Sequence, residues 1–138
     1  MKNNSKFLIL SLFLVLFSTI SLQAQRKNRV IQKADQAFDA EMYFEASELY
    51  KKGYNKTKNK AIKAEILFKQ AECYRYSSKF KNAANFYKKS IKAKYDNSNP
   101  IAIYWYAKML MANGNYEKAL VQFKKYFKSR CNWNEFGY

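Results

Sequence analysis

Three stretches of the chain share one order of apolar and polar positions: YFEASELYKKG (43–53), FKNAANFYKKS (80–90) and YEKALVQFKKY (116–126). In each, an aromatic, an alanine and a second aromatic fall at i, i+3 and i+7, which is one face of an α-helix. The sets are Tyr43, Ala46 and Tyr50, then Phe80, Ala83 and Tyr87, then Tyr116, Ala119 and Phe123. A second pattern lies upstream of each, at i, i+4 and i+7: Val30, Ala34 and Ala37, then Leu67, Ala71 and Tyr74, then Ile103, Ala107 and Leu110. The pattern predicts an all-α chain of about six helices. Each unit is a helix, a tight turn near Glu41, Ser78 or Gly114, and a second helix.

Ala46, Ala83 and Ala119 fall in register at spacings of 37 and 36 residues. A fixed period in the range of about 20–50 residues marks a solenoid whose units cannot bury their apolar faces alone. The expected units are about 27–58, 64–97 and 100–130, with 131–138 as a tail. Small residues belong where two helices approach closely, because a larger side chain overpacks the crossing at about 1–3 kcal/mol. Ala34, Ala71 and Ala107 are expected there on the first helices, and Ala46, Ala83 and Ala119 on the second. Between the later units, Asn99 is the candidate N-cap and Pro100 the first helical residue.

Composition agrees with a folded helical domain: 138 residues with 3 Gly, 1 Pro, 49% hydrophobic and 18% aromatic residues lie far from disorder. At the N-terminus, Lys2 and Lys6 precede a 14-residue apolar run, Phe7 to Ile20, with Ala24 as a small residue at a cleavage point. Residues 1–24 therefore read as a secretory signal peptide. An uncleaved anchor is the alternative, disfavoured because spanning a bilayer takes about 18–20 apolar residues. The expectation is an exported protein. Export would permit a disulfide, but of Cys73 and Cys131 the first sits inside a helical pattern, and two unpaired thiols are preferred to a bridge.

The chain has no histidine, which removes the commonest general base and usual metal ligand. Neither cysteine has a partner at metal-ligand spacing, and three scattered glycines build no phosphate loop. Asp35 and Asp39 at i,i+4 read as a solvated or partner-facing surface rather than an acid/base pair. The expectation is a non-enzyme without cofactor or metal.

The aligned small and aromatic positions resemble the tetratricopeptide repeat (TPR) over about residues 27–130. Departures are the period, longer than the usual ~34 residues, Glu41 at the first turn, and no proline closing a unit. Read with the leader, KADQAFDAEMYFEASELYKKGY and the units after it also resemble the N-terminal region of OmpA-family envelope proteins of Bacteroidetes-type bacteria. The best-known members are PorE-like accessory proteins of the type IX secretion system. That resemblance implies a protein-interaction role in the envelope, in the periplasm or at the periplasmic face of the outer membrane; these residues hold no OmpA-like segment, so peptidoglycan binding is not implied.

Stacked helix pairs use the face lined by their first helices for binding. On that register the groove residues are Ile31, Asp35 and Phe38, then Phe68, Glu72 and Arg75, then Tyr104, Lys108 and Met111. Their mix of aromatics and both charges suits an extended peptide or a partner helix. The competing role for each aromatic is packing against the adjacent unit.

Charge supplies the alternative. Lys and Arg number 26 against 10 acids, a net +16, and removing Lys2 and Lys6 with the leader leaves 24 against 10, or +14. Each unit carries a lysine pair after its last packing aromatic: Lys51 and Lys52, Lys88 and Lys89, Lys124 and Lys125. A solvated convex face is the plain reading. The sharper one is a basic stripe facing an anionic cell-wall polymer or lipopolysaccharide. Nucleic acid is not expected in an exported chain. The apolar tail, with Trp133, Phe136 and Tyr138, marks either a natural continuation of the protein or an end that docks or self-associates.

Overall fold

The computed structural model describes the backbone of residues 29–134 and the side chains of 29–130. The leader and residues 135–138, with the readings placed on them, lie outside the described residues. All described secondary structure is helical: α1 (29–39), α2 (Tyr43–Lys56), α3 (Lys60–Tyr76), α4 (Phe80–Lys92), a short 3-10 turn (Tyr95–Asn97), α5 (Ile101–Ala112) and α6 (Tyr116–Asn134). Helix α6 continues four residues past the expected unit boundary at 130. Helix α3 starts at Lys60, ahead of the expected 64, because Asn59 caps it by accepting from the Ala61 and Ile62 amides.

Three turns join α1 to α2, α3 to α4 and α5 to α6, and their hydrogen bonds repeat. Met42, Lys79 and Asn115 donate their amides back to the carbonyls of Ala37, Tyr74 and Leu110, at 2.9, 2.8 and 2.9 Å. Glu41, Ser78 and Gly114 donate to Phe38, Arg75 and Met111. This pair of bonds is the Schellman ending, which requires a left-handed residue. Glu41, Ser78 and Gly114 supply it, with φ of 60°, 56° and 75°. One backbone geometry is thus written with three different residues.

The six register alanines Ala34, Ala46, Ala71, Ala83, Ala107 and Ala119 are all buried, none more than 2% exposed. Four of them belong to two clusters of buried residues. One joins Ala34, Ala37, Ala46 and Tyr50 with Ile66 and Cys73 of the next helix. The other joins Ala71, Ala83, Ala84 and Tyr87 with Met109. Helices adjacent in the chain pack on each other from α2 through α6, so α2 and α4 each lie between their own first helix and that of the following unit.

The start of α5 departs from the expectation. The Asn99 side chain caps nothing; its amide donates to the Tyr95 hydroxyl at 3.2 Å. The amides of Ala102 and Ile103 bond instead to the backbone carbonyls of Asn99 and Pro100, and Pro100 stands just before the helix. The 3-10 turn places Tyr95 within reach of Asn99, and that contact takes the side chain the cap would have used.

Candidate functional site

The first helices stand side by side through direct contacts. Lys69 of α3 reaches Asp35 of α1 at 2.7 Å, and the Phe38 ring meets Tyr43 and Tyr76 edge-on, with centroids 5.4 and 5.5 Å away. From α3 to α5 the link is Arg75, whose guanidinium lies 4.1 Å from the ring centres of both Tyr76 and Trp105. Of the nine expected groove residues, eight are half-buried and Met111 is exposed, at 39%. Ile31, Asp35 and Lys69 also line a depression of ≈ 250 Å³ between α1 and α3.

The acids of this face are already engaged. Tyr50 of α2 donates its hydroxyl to Asp35 of α1. One unit later Tyr87 of α4 donates to Glu72 of α3, and Arg75 closes that group with a bond to Glu72 at 2.5 Å and one to the Tyr87 hydroxyl at 3.2 Å. The Glu72 and Arg75 side chains are only 14% and 17% exposed. Burial first, then the neighbouring acid, pushes the Tyr50 and Tyr87 phenols above the usual tyrosine range. Burial opposes the charge of Arg75 and of Lys69, but hydrogen bonds to Glu72 and Asp35 outweigh it and raise both. Asp35, read from sequence as solvated or partner-facing, keeps 38% of its side chain exposed while it bridges α1, α2 and α3.

In the third unit both members of the pair change together. The places of Asp35 and Glu72 are taken by Lys108, and those of Tyr50 and Tyr87 by Phe123. Lys108 is half-buried and in no ion pair among the described residues. The acids that the first two units bring to this face, Asp35 and Glu72, are compensated by Lys69 and Arg75. Lys108 is the cation this face has left to offer.

The aromatics of the set do serve in packing. Phe68 meets Tyr87 and Tyr95, with centroids 5.6 and 5.0 Å away, and Tyr104 meets Phe123 and Tyr126 at 5.8 and 5.4 Å. Each is half-buried, with one side on its neighbours and an edge at the surface.

The lysine pairs are all exposed, but they are not equivalent. Lys51 and Lys89 line a cleft of ≈ 600 Å³ between α2 and α4, floored by α3, whereas Lys52 and Lys88 do not. Lys125 bonds to Asp96 of the 3-10 turn at 2.9 Å, which joins α6 to the connection between units two and three. Sequence reasoning missed this cleft because its walls come from neighbouring units. Aligning the repeats carries no signal for it, because the lysine pairs coincide in every unit.

Cys73 is a free thiol, 1% exposed, and burial pushes its pKa up to about 12, so it has the character of a core residue rather than a nucleophile. The Cys131 side chain lies outside the described residues. Among the described residues, no cluster of His, Cys, Asp or Glu could hold a metal ion, and no helix is long and apolar enough to cross a membrane. Comparison with protein-family models and with curated proteins gives no match to this chain.

Proposed function

We propose that the chain is a TPR-type α-solenoid acting as a non-catalytic protein-interaction scaffold of the bacterial envelope, with its partner peptide or helix lying along α1, α3 and α5. The observation that carries this reading is the threefold Schellman turn with its six buried alanines. It supports a repeat in which first helices are held at a common spacing and present one continuous face. The half-buried aromatics along that face, with Lys108 and exposed Met111 at one end, suit a partner with apolar side chains and an acidic group near α5. Residues 1–24 support export, and the resemblance to PorE-like envelope proteins supports a place in a type IX secretion or OmpA-like assembly.

The test compares capture from envelope extract by the wild type, by Lys108→Glu/Met111→Glu and by Lys52→Glu/Lys88→Glu, with partners quantified by mass spectrometry. The proposal predicts loss of specific partners only in the first variant. Equal retention by all three would reject the groove.

A second reading, binding of an anionic envelope polymer through the opposite face, is favoured by Lys51 and Lys89 converging on one cleft. It predicts steep loss of binding with added salt, while groove binding of a largely apolar peptide weakens far less.

A further inference from the structure

The cleft between α2 and α4 takes Lys51 and Lys89 from the basic stripe expected on the convex face, and its chemistry is specific. Its basic rim is Lys51 from α2 with Lys89 and Lys92 from α4, and the lining holds one acid, Glu48. None of the three lysines is in an ion pair among the described residues. Three cations gathered against one carboxylate leave a local excess of positive charge, which an anion entering the cleft would neutralise.

The walls are apolar and aromatic. Tyr74 and Phe86 pack ring on ring, 5.1 Å between centroids, and Lys89 Nζ lies 4.8 Å from the Phe86 ring centre. Tyr54 stands on the α2 side, with Lys63 Nζ 4.7 Å from its ring centre. At the floor, Leu67 lies beside Gln70, a buried amide at 4% exposure whose Nε2 donates to the Ser47 carbonyl at 3.4 Å. A volume of ≈ 600 Å³ falls within the range of about 300–1,000 Å³ typical of small-molecule sites.

We propose that this cleft binds a small amphiphilic anion, an apolar or aromatic body carrying one carboxylate, sulfonate or phosphate. The body lies against Tyr74, Phe86 and Leu67, and the acidic group meets Lys51, Lys89 and Lys92. Solvated lysines alone would suit a bare phosphate or a polyanion; the aromatic walls beneath them select for a ligand with an apolar part. The proposal does not depend on the groove of α1, α3 and α5, since the two surfaces share none of the residues named for them.

The test uses the full chain and the probe 8-anilinonaphthalene-1-sulfonate, followed by fluorescence, with the uncharged N-phenyl-1-naphthylamine as its partner without the acid. Variants are Lys89→Gln/Lys92→Gln and, as a control of equal charge loss, Lys52→Gln/Lys88→Gln. All four positions are exposed, and circular dichroism checks that the helices persist. Expected are at least tenfold weaker sulfonate binding in the first variant, little change in the second, at least tenfold weaker binding of the uncharged probe, and displacement by decanoate. Equal loss in both variants would overturn the proposal in favour of a diffuse basic surface. Equal binding of the two probes would reduce the site to an apolar patch. Displacement by inorganic phosphate or polyglutamate as effective as by decanoate would assign the cleft to bare anions or polyanions instead.

Discussion

Tyr50 and Tyr87 hold the same place in consecutive units, and each spends its hydroxyl on an acid of the preceding helix. A hydrogen bond to a charged group contributes about 1.5–3 kcal/mol. Tyr87→Phe is therefore expected to lower stability by about that much in urea unfolding, and Tyr50→Phe by less, because Asp35 is the more exposed acid. The two phenols also set a pH dependence. Their folded pKa values lie above the ordinary tyrosine value, so at alkaline pH the folded state retains protons that the unfolded state releases. Stability from this source is level below pH ~10, the unfolded value, and declines above it by up to ~1.4 kcal/mol per pH unit for each phenol. The double variant should show a shallower alkaline decline. An unchanged slope would mean that these phenols do not set it. A second residue-scale expectation concerns the left-handed turns, which cost a non-glycine residue about 1–2 kcal/mol. After the entropy glycine loses on folding, Ser78→Gly should stabilise by about 0.5–1 kcal/mol. Gly114→Ala should destabilise by a similar amount for conformational reasons alone, since an added Cβ there meets nothing within 4 Å.

At the scale of elements, α2, α4 and α6 differ in what they accept on their outer sides. Ser47 and Ala84 are buried under the next unit's first helix, whereas Leu120 holds the same register position on α6 and is 55% exposed. The connection before α5 has its own tie, Lys125 to Asp96, whose carboxylate side chain is only 12% exposed. Removing the lysine strands a largely desolvated acid, so Lys125→Gln should cost about 1–2 kcal/mol, while Lys124→Gln should be nearly neutral. Equal unfolding midpoints for the two would show that the bond contributes nothing. The helices, the alanine crossings and the turn positions were legible in the sequence because they depend on spacing within one unit. The Tyr50–Asp35 and Tyr87–Glu72 pairs were not, although Lys108 with Phe123 marks them by changing both partners at once. The Asn99 cap was not legible because the side chain is turned to donate its Nδ2 to the Tyr95 hydroxyl, four residues away, and a local capping rule does not weigh that partner.

The whole molecule carries two kinds of unfinished surface. One is apolar: Leu120, Val121 and Phe127 stand out from α6, the last at 60% exposure. If this end self-associates, Leu120→Ser/Phe127→Ser should reduce the apparent mass in sedimentation at high protein concentration, and an unchanged distribution would exclude α6 as the contact. The other is the face of α1, α3 and α5, where Lys69 and Arg75 compensate the acids while Lys108 is in no ion pair among the described residues. The division of labour is physical: on this face the first two units pair Asp35 and Glu72 internally, and the third leaves a cation and an exposed methionine at the edge of an aromatic surface. The most direct test of that account is a photocrosslinking scan in intact envelopes, with the reactive residue placed in turn at Gln32, which lines the depression between α1 and α3, Lys108, Met111, Lys52 and Lys88. The account predicts a shared partner adduct from the first three positions and none from the last two. Adducts from Lys52 and Lys88 with none from Lys108 or Met111 would contradict it.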